Sequence, residues 1–206
     1  MAASLFDSIL FDFDGVLADT EPIHYECWLE ILKPFAIHLD WEVYQRDCIG
    51  ISDRLMIERL AAERTPPVAF DDLWPKYGEK QILFREKLEK HPPFLQPTLD
   101  LIAELAPHYK LAVVSSSGRT EVEPPLVRAG IRDHFEVLVC GKEAKQLKPE
   151  PDPYLLAAEL LRVRRPLVVE DSDAGEASGR AAGFEVLRVA TAESVPGEIR
   201  RVLNFR

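Results

Sequence analysis

Short runs of aliphatic and β-branched residues recur along this chain, and most stop at a polar or acidic residue. Ile9-Leu10-Phe11 precedes Asp12, Leu111-Ala112-Val113-Val114 precedes Ser115, and Leu167-Val168-Val169 precedes Glu170 and Asp171. Val137-Leu138-Val139-Cys140 runs into Gly141, and Val186-Leu187-Arg188-Val189 lies further on. Runs this short, without alternation, read as parallel strands buried on both faces. Between them, apolar residues fall at helical spacing over Thr98–Leu105, Glu121–Ala129, Pro153–Leu161 and Ala174–Ala182. Strand and helix in alternation predict an α/β fold with a doubly wound parallel sheet.

The stretch from Pro22 to about Lys90 breaks this alternation. Trp28, Leu29, Ile31 and Leu32 share one helix face, Leu55, Ile57, Leu60 and Ala61 a second, and Ile82, Leu83, Phe84 and Leu88 a third. No strand is expected there. The spacing predicts a small all-helical cap, residues 21–91, inserted after the first strand, with residues 1–20 and 92–206 forming the α/β core. Prolines, which fix φ, mark the two crossings at Thr20-Glu21-Pro22 and His91-Pro92-Pro93-Phe94. Trp28, Trp41 and Trp74 read as cap core.

The 206 residues suit one core domain with a sizeable insertion, or two small domains, and 47% hydrophobic content is that of a globular protein. A net charge of -10 argues against nonspecific nucleic-acid binding and against docking on anionic lipid. No signal peptide or membrane-spanning run is read from the sequence. Cys27, Cys48 and Cys140 match no metal or disulfide spacing and are expected as free thiols in a reducing cytoplasm.

Candidate chemistry collects where the apolar runs end. Asp12-Phe13-Asp14-Gly15 sets two carboxylates two residues apart on a turn. In parallel α/β sheets, ligands bind outside the carboxyl ends of the strands. Paired acids there are costly unless a cation or a reaction offsets them. One Asp can carry a phosphoryl group as a nucleophile, and the other can move protons. The plainer reading is an Asp-rich turn capping the next helix. Ser115-Ser116-Ser117-Gly118 suits phosphate oxygens or an ordinary helix cap. Lys148, in Lys148-Pro149-Glu150-Pro151-Asp152-Pro153, can neutralise phosphate or lie in solvent. Glu170-Asp171-Ser172 with Gly175 offers hard oxygen ligands for Mg²⁺ or a cap.

Taken in order, the four elements resemble those of the haloacid dehalogenase-like superfamily, over nearly the whole chain. Asp12 to Leu17 is similar to its first motif, Ser115 to the second, Lys148 to the third and Glu170 to Gly175 to the fourth. The insertion resembles the small cap of the branch containing phosphoglycolate phosphatase and β-phosphoglucomutase. The resemblance implies a Rossmann-like core and a Mg²⁺-dependent phosphatase working through an aspartyl-phosphate. In that scheme Asp12 is nucleophile and metal ligand. Asp14 is general acid and base, with its backbone carbonyl on the metal. Ser115 bonds the moving phosphoryl group, and Lys148 keeps that group and Asp12 in register. Asp171 completes the metal ligands, with Glu170 either a ligand or an orienter of one. Dehalogenases of the superfamily act on carbon without metal and generally lack the second Asp, so Asp14 and Asp171 favour phosphate.

Specificity in capped relatives comes from the cap. The loop Ile49-Gly50-Ile51-Ser52-Asp53-Arg54 is the candidate here, with Gly50 allowing close backbone approach and Arg54 reaching an anion or lying in solvent. The mutase branch usually carries Arg directly after the Ser of this loop, where this chain has Asp53. Ser116, Ser117, His24 and Arg119 are further candidate substrate contacts. His24 also reads as a structural histidine and Arg119 as a helix-start residue in solvent. Lys76 and Lys80, one helical turn apart, either face the site from the cap or form a solvated cap face. The expected enzyme takes a small phosphorylated metabolite, a sugar phosphate or phosphoglycolate-like acid, as a monomer or weak homodimer. The alternatives are a β-phosphoglucomutase-type isomerase and a phospho-accepting signalling module.

Overall fold

Ser8–Phe11 forms β1, four residues without an exposed side chain. The computed structural model describes residues 5–49, 51, 53–90 and 93–204. β2 spans Lys110–Ser115, β3 Val137–Cys140, β4 Pro166–Glu170 and β5 Glu185–Arg188. All pair in parallel, in the order β3-β2-β1-β4-β5. Phe11 stands opposite Val113 on one side and Val169 on the other, so the residues after β1, β2 and β4 emerge at one end.

By contact density the chain divides into one unit of Met1–Asp19 with Pro92–Arg206 and another of Thr20–His91. The second unit is helical: α1 Glu21–Leu32, α2 Trp41–Asp47, α3 Asp53–Glu63, α4 Phe70–Leu73 and α5 Tyr77–Lys90. No strand occurs among its described residues. It has its own core of Trp28, Leu32, Tyr44, Ile57 and Leu73, and a second cluster of Cys27, Phe84 and Leu88 where α1 meets α5. The sequence pattern predicts three helices. The further two, α2 and α4, are short, and each buries a single residue, Tyr44 and Leu73, without a repeating stripe.

In the α/β unit, α6 spans Gln96–Leu105, α7 Arg119–Arg128, α8 Asp152–Leu161, α9 Asp173–Ala181 and α10 Val195–Leu203. Alternate strand residues face opposite sides. Ile9 and Phe11 pack with Leu101, Leu105, Val122, Leu126 and Ile199. Leu10 packs with Val114, Val139, Tyr154, Ala157 and Val168 on the other face. The result is three layers with the sheet between two helix layers. One strand departs from the expectation of two buried faces: β5, at one edge of the sheet, is exposed at both its ends, Glu185 and Arg188. Helix α10 has no counterpart in the sequence reading.

Candidate active site

Asp12 leaves β1 still tied to the sheet, its N–H donating to the Val169 carbonyl at 3.0 Å. The chain then turns back: the N–H groups of Leu17 and Ala18 donate to the Phe13 carbonyl (3.0 and 2.9 Å), and Gly15 N–H to the Ala18 carbonyl (2.8 Å). Gly15 sits at φ +73°, the left-handed region that suits a residue without Cβ. A Cβ there would also overlap the Asp171 carboxylate.

Lys148 is the hub. Its side chain is 5% exposed. Its ammonium donates to Asp12 Oδ1 (2.8 Å), the Val114 carbonyl (2.8 Å) and Glu170 Oε1 (2.6 Å), one acceptor for each N–H. Glu170 is fully buried. Its Oε1 also accepts from the Tyr154 hydroxyl at 2.7 Å. Its Oε2 accepts from the N–H of Asp171 (3.1 Å), the N–H of Ser172 (3.3 Å) and the Ser172 hydroxyl (3.1 Å). Ser172 Oγ in turn accepts from Gly175 N–H at 3.0 Å and caps α9. A Cβ on Gly175 would overlap the Glu170 carboxylate, so the helix starts this close only because the residue is Gly. On the other side, the Ser117 hydroxyl donates to Asp14 Oδ2 at 2.7 Å, and Ser117 N–H donates to Ser115 Oγ at 3.0 Å. Ser115 is buried and Ser116 exposed.

Asp12, Glu170 and Asp171 each bring a carboxylate oxygen within 4.8 Å of the others. Burial and then Glu170 push the Asp12 carboxyl well above the usual range, with Asp14 and Asp171 adding and Lys148 opposing. Burial works the same way on Glu170. There the Lys148 charge and the hydrogen bonds from Lys148, Tyr154 and Ser172 win, and the carboxyl is held low. Asp171 is pushed up to about 6 by burial, then by Glu170 and Asp14. Burial opposes the Lys148 charge too, but Asp12 and Glu170 outweigh it and hold the ammonium above its usual value. Lys148 thus brings one positive charge to the carboxylates of Asp12 and Glu170, with Asp171 beside them, and the cluster is left short of positive charge. Hard oxygen donors in that condition fit a divalent cation.

The other candidates lie elsewhere in the chain. Lys80 is not on a solvated face: it is 2% exposed. Its ammonium lies 2.7 Å from His24 Nδ1, donates to Asp53 Oδ2 at 3.2 Å, and sits over the Trp28 and Phe84 rings at 5.2 and 5.4 Å. Aromatic faces and a carboxylate make its burial tolerable. Lys76 is half-buried and pairs with Glu79. Trp28 Nε1 donates to Asp53 Oδ1, and His24 stacks on Phe84. Arg54 pairs with Glu58 and lies over the Phe70 and Trp74 rings. Gly50, Ser52, His91 and Pro92 fall outside the described residues. In the α/β unit, Arg119 is bound to Glu143, Glu123 and the Leu138 carbonyl. Sequence reasoning missed Tyr154, the Val114 carbonyl and the double role of Ser172. Tyr154 reads as one more core aromatic on its helix, and a carbonyl leaves no trace in a sequence.

A sheet whose central strand ends in paired aspartates, met by a buried lysine and a second acidic pair, defines a class of α/β hydrolases that work with carboxylates. The chain belongs to the haloacid dehalogenase-like hydrolase family, whose model matches residues 9–189. Its relatives lie in the phosphoglycolate phosphatase and β-phosphoglucomutase branch. A fructose-1-phosphate phosphatase of Escherichia coli is 29% identical over 192 residues, 89% of this chain and 96% of that one. A phosphorylated carbohydrates phosphatase of Thermotoga maritima is 28% identical over 182 residues, 87% of this chain and 82% of that one. The crystal structure of a β-phosphoglucomutase from Clostridium difficile, 20% identical, shares the fold at a TM-score of 0.75 over 97% of both chains.

Proposed function

We propose that this chain is a Mg²⁺-dependent phosphatase of small phosphorylated carbohydrates that works through a phospho-Asp12 intermediate. The observation that carries it is the Asp12 carboxylate, buried and held at 2.8 Å by Lys148, with the Asp14 carboxylate two residues on, accepting from the Ser117 hydroxyl at 2.7 Å. In the first half-reaction an Asp12 oxygen bonds to phosphorus as the ester P–O bond breaks. Asp14 gives its proton to the leaving oxygen. In the second, Asp14 takes a proton from water as that oxygen bonds to phosphorus and the P–O bond to Asp12 breaks. Ser115 hydrogen-bonds the phosphoryl oxygens, and Lys148 offsets their charge while keeping Asp12 in place. Asp12, Asp171 and the Asp14 carbonyl would hold Mg²⁺, which when bound supplies positive charge to the phosphoryl oxygens.

The relatives named for phosphorylated carbohydrates and fructose 1-phosphate support the substrate class. Asp53 supports a phosphatase over a mutase. The position is acidic, and its carboxylate is engaged by Trp28 and Lys80. Three buried thiols support a reducing compartment such as the cytoplasm.

The test is phosphate release from a panel of sugar phosphates and phosphoglycolate. Expected is release that stops with EDTA and in Asp12→Asn. Interconversion of a sugar phosphate without net release would replace the reading with the isomerase. A long-lived phospho-Asp12 without turnover would replace it with the signalling module.

A further inference from the structure

Tyr154 is 0% exposed, yet its hydroxyl is not idle among apolar neighbours. It donates to Glu170 Oε1, the same oxygen that accepts from Lys148. Its ring lies under the Lys148 ammonium, with the nitrogen 5.1 Å from the centroid. One residue therefore touches both members of the ion pair that stands behind Asp12. Glu170 matters for a second reason. One of its oxygens belongs to the acidic cluster, so this carboxylate is in a position to compete for a cation. The two oxygens accept five donors between them: Lys148, Tyr154, two backbone N–H groups and Ser172. A carboxylate so occupied has little left to give a metal.

We propose that Tyr154 is a positioning residue of the site: its hydroxyl keeps Glu170 turned to Lys148 and out of the contest for the cation, so that Lys148 stays on Asp12. This rests on the phosphatase reading for its kinetic arm only. Without the hydroxyl, Glu170 Oε1 loses one of its two donors and becomes the better ligand. The cation then binds more tightly but in a less productive arrangement, and the Lys148 contact to Asp12 loosens.

Tyr154→Phe keeps the ring and its packing and removes only the hydroxyl. Mg²⁺ alone, titrated calorimetrically into the resting protein, is expected to bind about three-fold or more tightly to the variant than to the wild type, because Glu170 Oε1 regains acceptor capacity. With p-nitrophenyl phosphate and saturating Mg²⁺, kcat is expected to fall about 10-fold with KM within about two-fold. In a Glu170→Gln background, both effects of Tyr154→Phe are expected to shrink to within about two-fold, since residues acting through one shared atom are not additive. Mg²⁺ binding that is weaker or unchanged in Tyr154→Phe overturns the proposal. So does an effect of equal size in both backgrounds. An unfolded variant also counts against it, because a hydroxyl acting only through Glu170 is dispensable for the fold. Should the wild type release no phosphate, the phosphatase reading fails, while the Mg²⁺ titration still decides the role of Tyr154.

Discussion

Gly175 has no side chain, and the Glu170 carboxylate lies where one would be. Gly197, in the first turn of α10, has open space around the same position. The two glycines therefore respond to one added methyl in opposite ways. Gly175→Ala is expected to cost about 1–3 kcal/mol of stability in urea unfolding, because the carboxylate and its five donors must shift together. Phosphate release is expected to fall about 10- to 100-fold with it. Gly197→Ala is expected to stabilise by about 0.5–1 kcal/mol and leave turnover alone. The acids and the lysine were legible in the sequence because carboxylates at strand ends need a reason to be there. The groups that hold them were not. Tyr154 resembles any helix aromatic, and what distinguishes it is the oxygen it meets across the sheet face. Lys80 was misread for the same cause: spacing puts it on a helix, and only the rings of Trp28 and Phe84 show that the face is covered.

At the scale of elements, α1 and α5 are joined by a polar contact inside an apolar seam. His24 from α1 stacks on Phe84 and meets Lys80, both from α5. Burial, then the Lys80 charge, hold His24 well below its ordinary pKa of 6.5. The unfolded chain takes up that proton first, so the contribution of this seam is present above pH 6.5 and is lost as pH falls below it. Wild-type protein is expected to lose more stability between pH 7 and pH 5 than His24→Asn does, read by urea unfolding at the two pH values. Elements with a strong period were the legible ones. β1, β2 and β4 are buried runs that end in polar residues, and α6, α8 and α9 lie close to their expected bounds. α2 and α4 span two turns or fewer, too short for a period to declare itself. β5 shares its aliphatic content with the inner strands, and only the charges of Glu185 and Arg188 set it apart.

For the molecule as a whole, charge is the governing quantity. A net charge of -10 includes the carboxylates gathered around one lysine, and on the proposed reading a bound cation would relieve their repulsion. Mg²⁺ at a hundred-fold excess over its dissociation constant is expected to add about 2.7 kcal/mol of stability, seen as a rise in Tm. Asp171→Asn is expected to abolish most of that rise. Without Mg²⁺ it is expected to be no less stable than the wild type, because Asp171 lies beside Glu170 and Asp14.

The place of β1 has a bearing on how the molecule comes into being. The strand that delivers Asp12 is the middle one, and its partners lie far downstream, around Lys110 and Pro166. During synthesis this apolar segment leaves the ribosome before either partner, unpaired until β2 follows the helical insertion and with one edge open until β4 arrives. Contacts between segments so distant along the chain form slowly, and an exposed strand waiting for them is open to aggregation. Glu170, which closes the site, arrives on the last of those partners. A nascent chain that stops short of β4 lacks both the strand beside β1 and the carboxylate that pairs with Lys148, so the site takes shape only after Glu170 has been made.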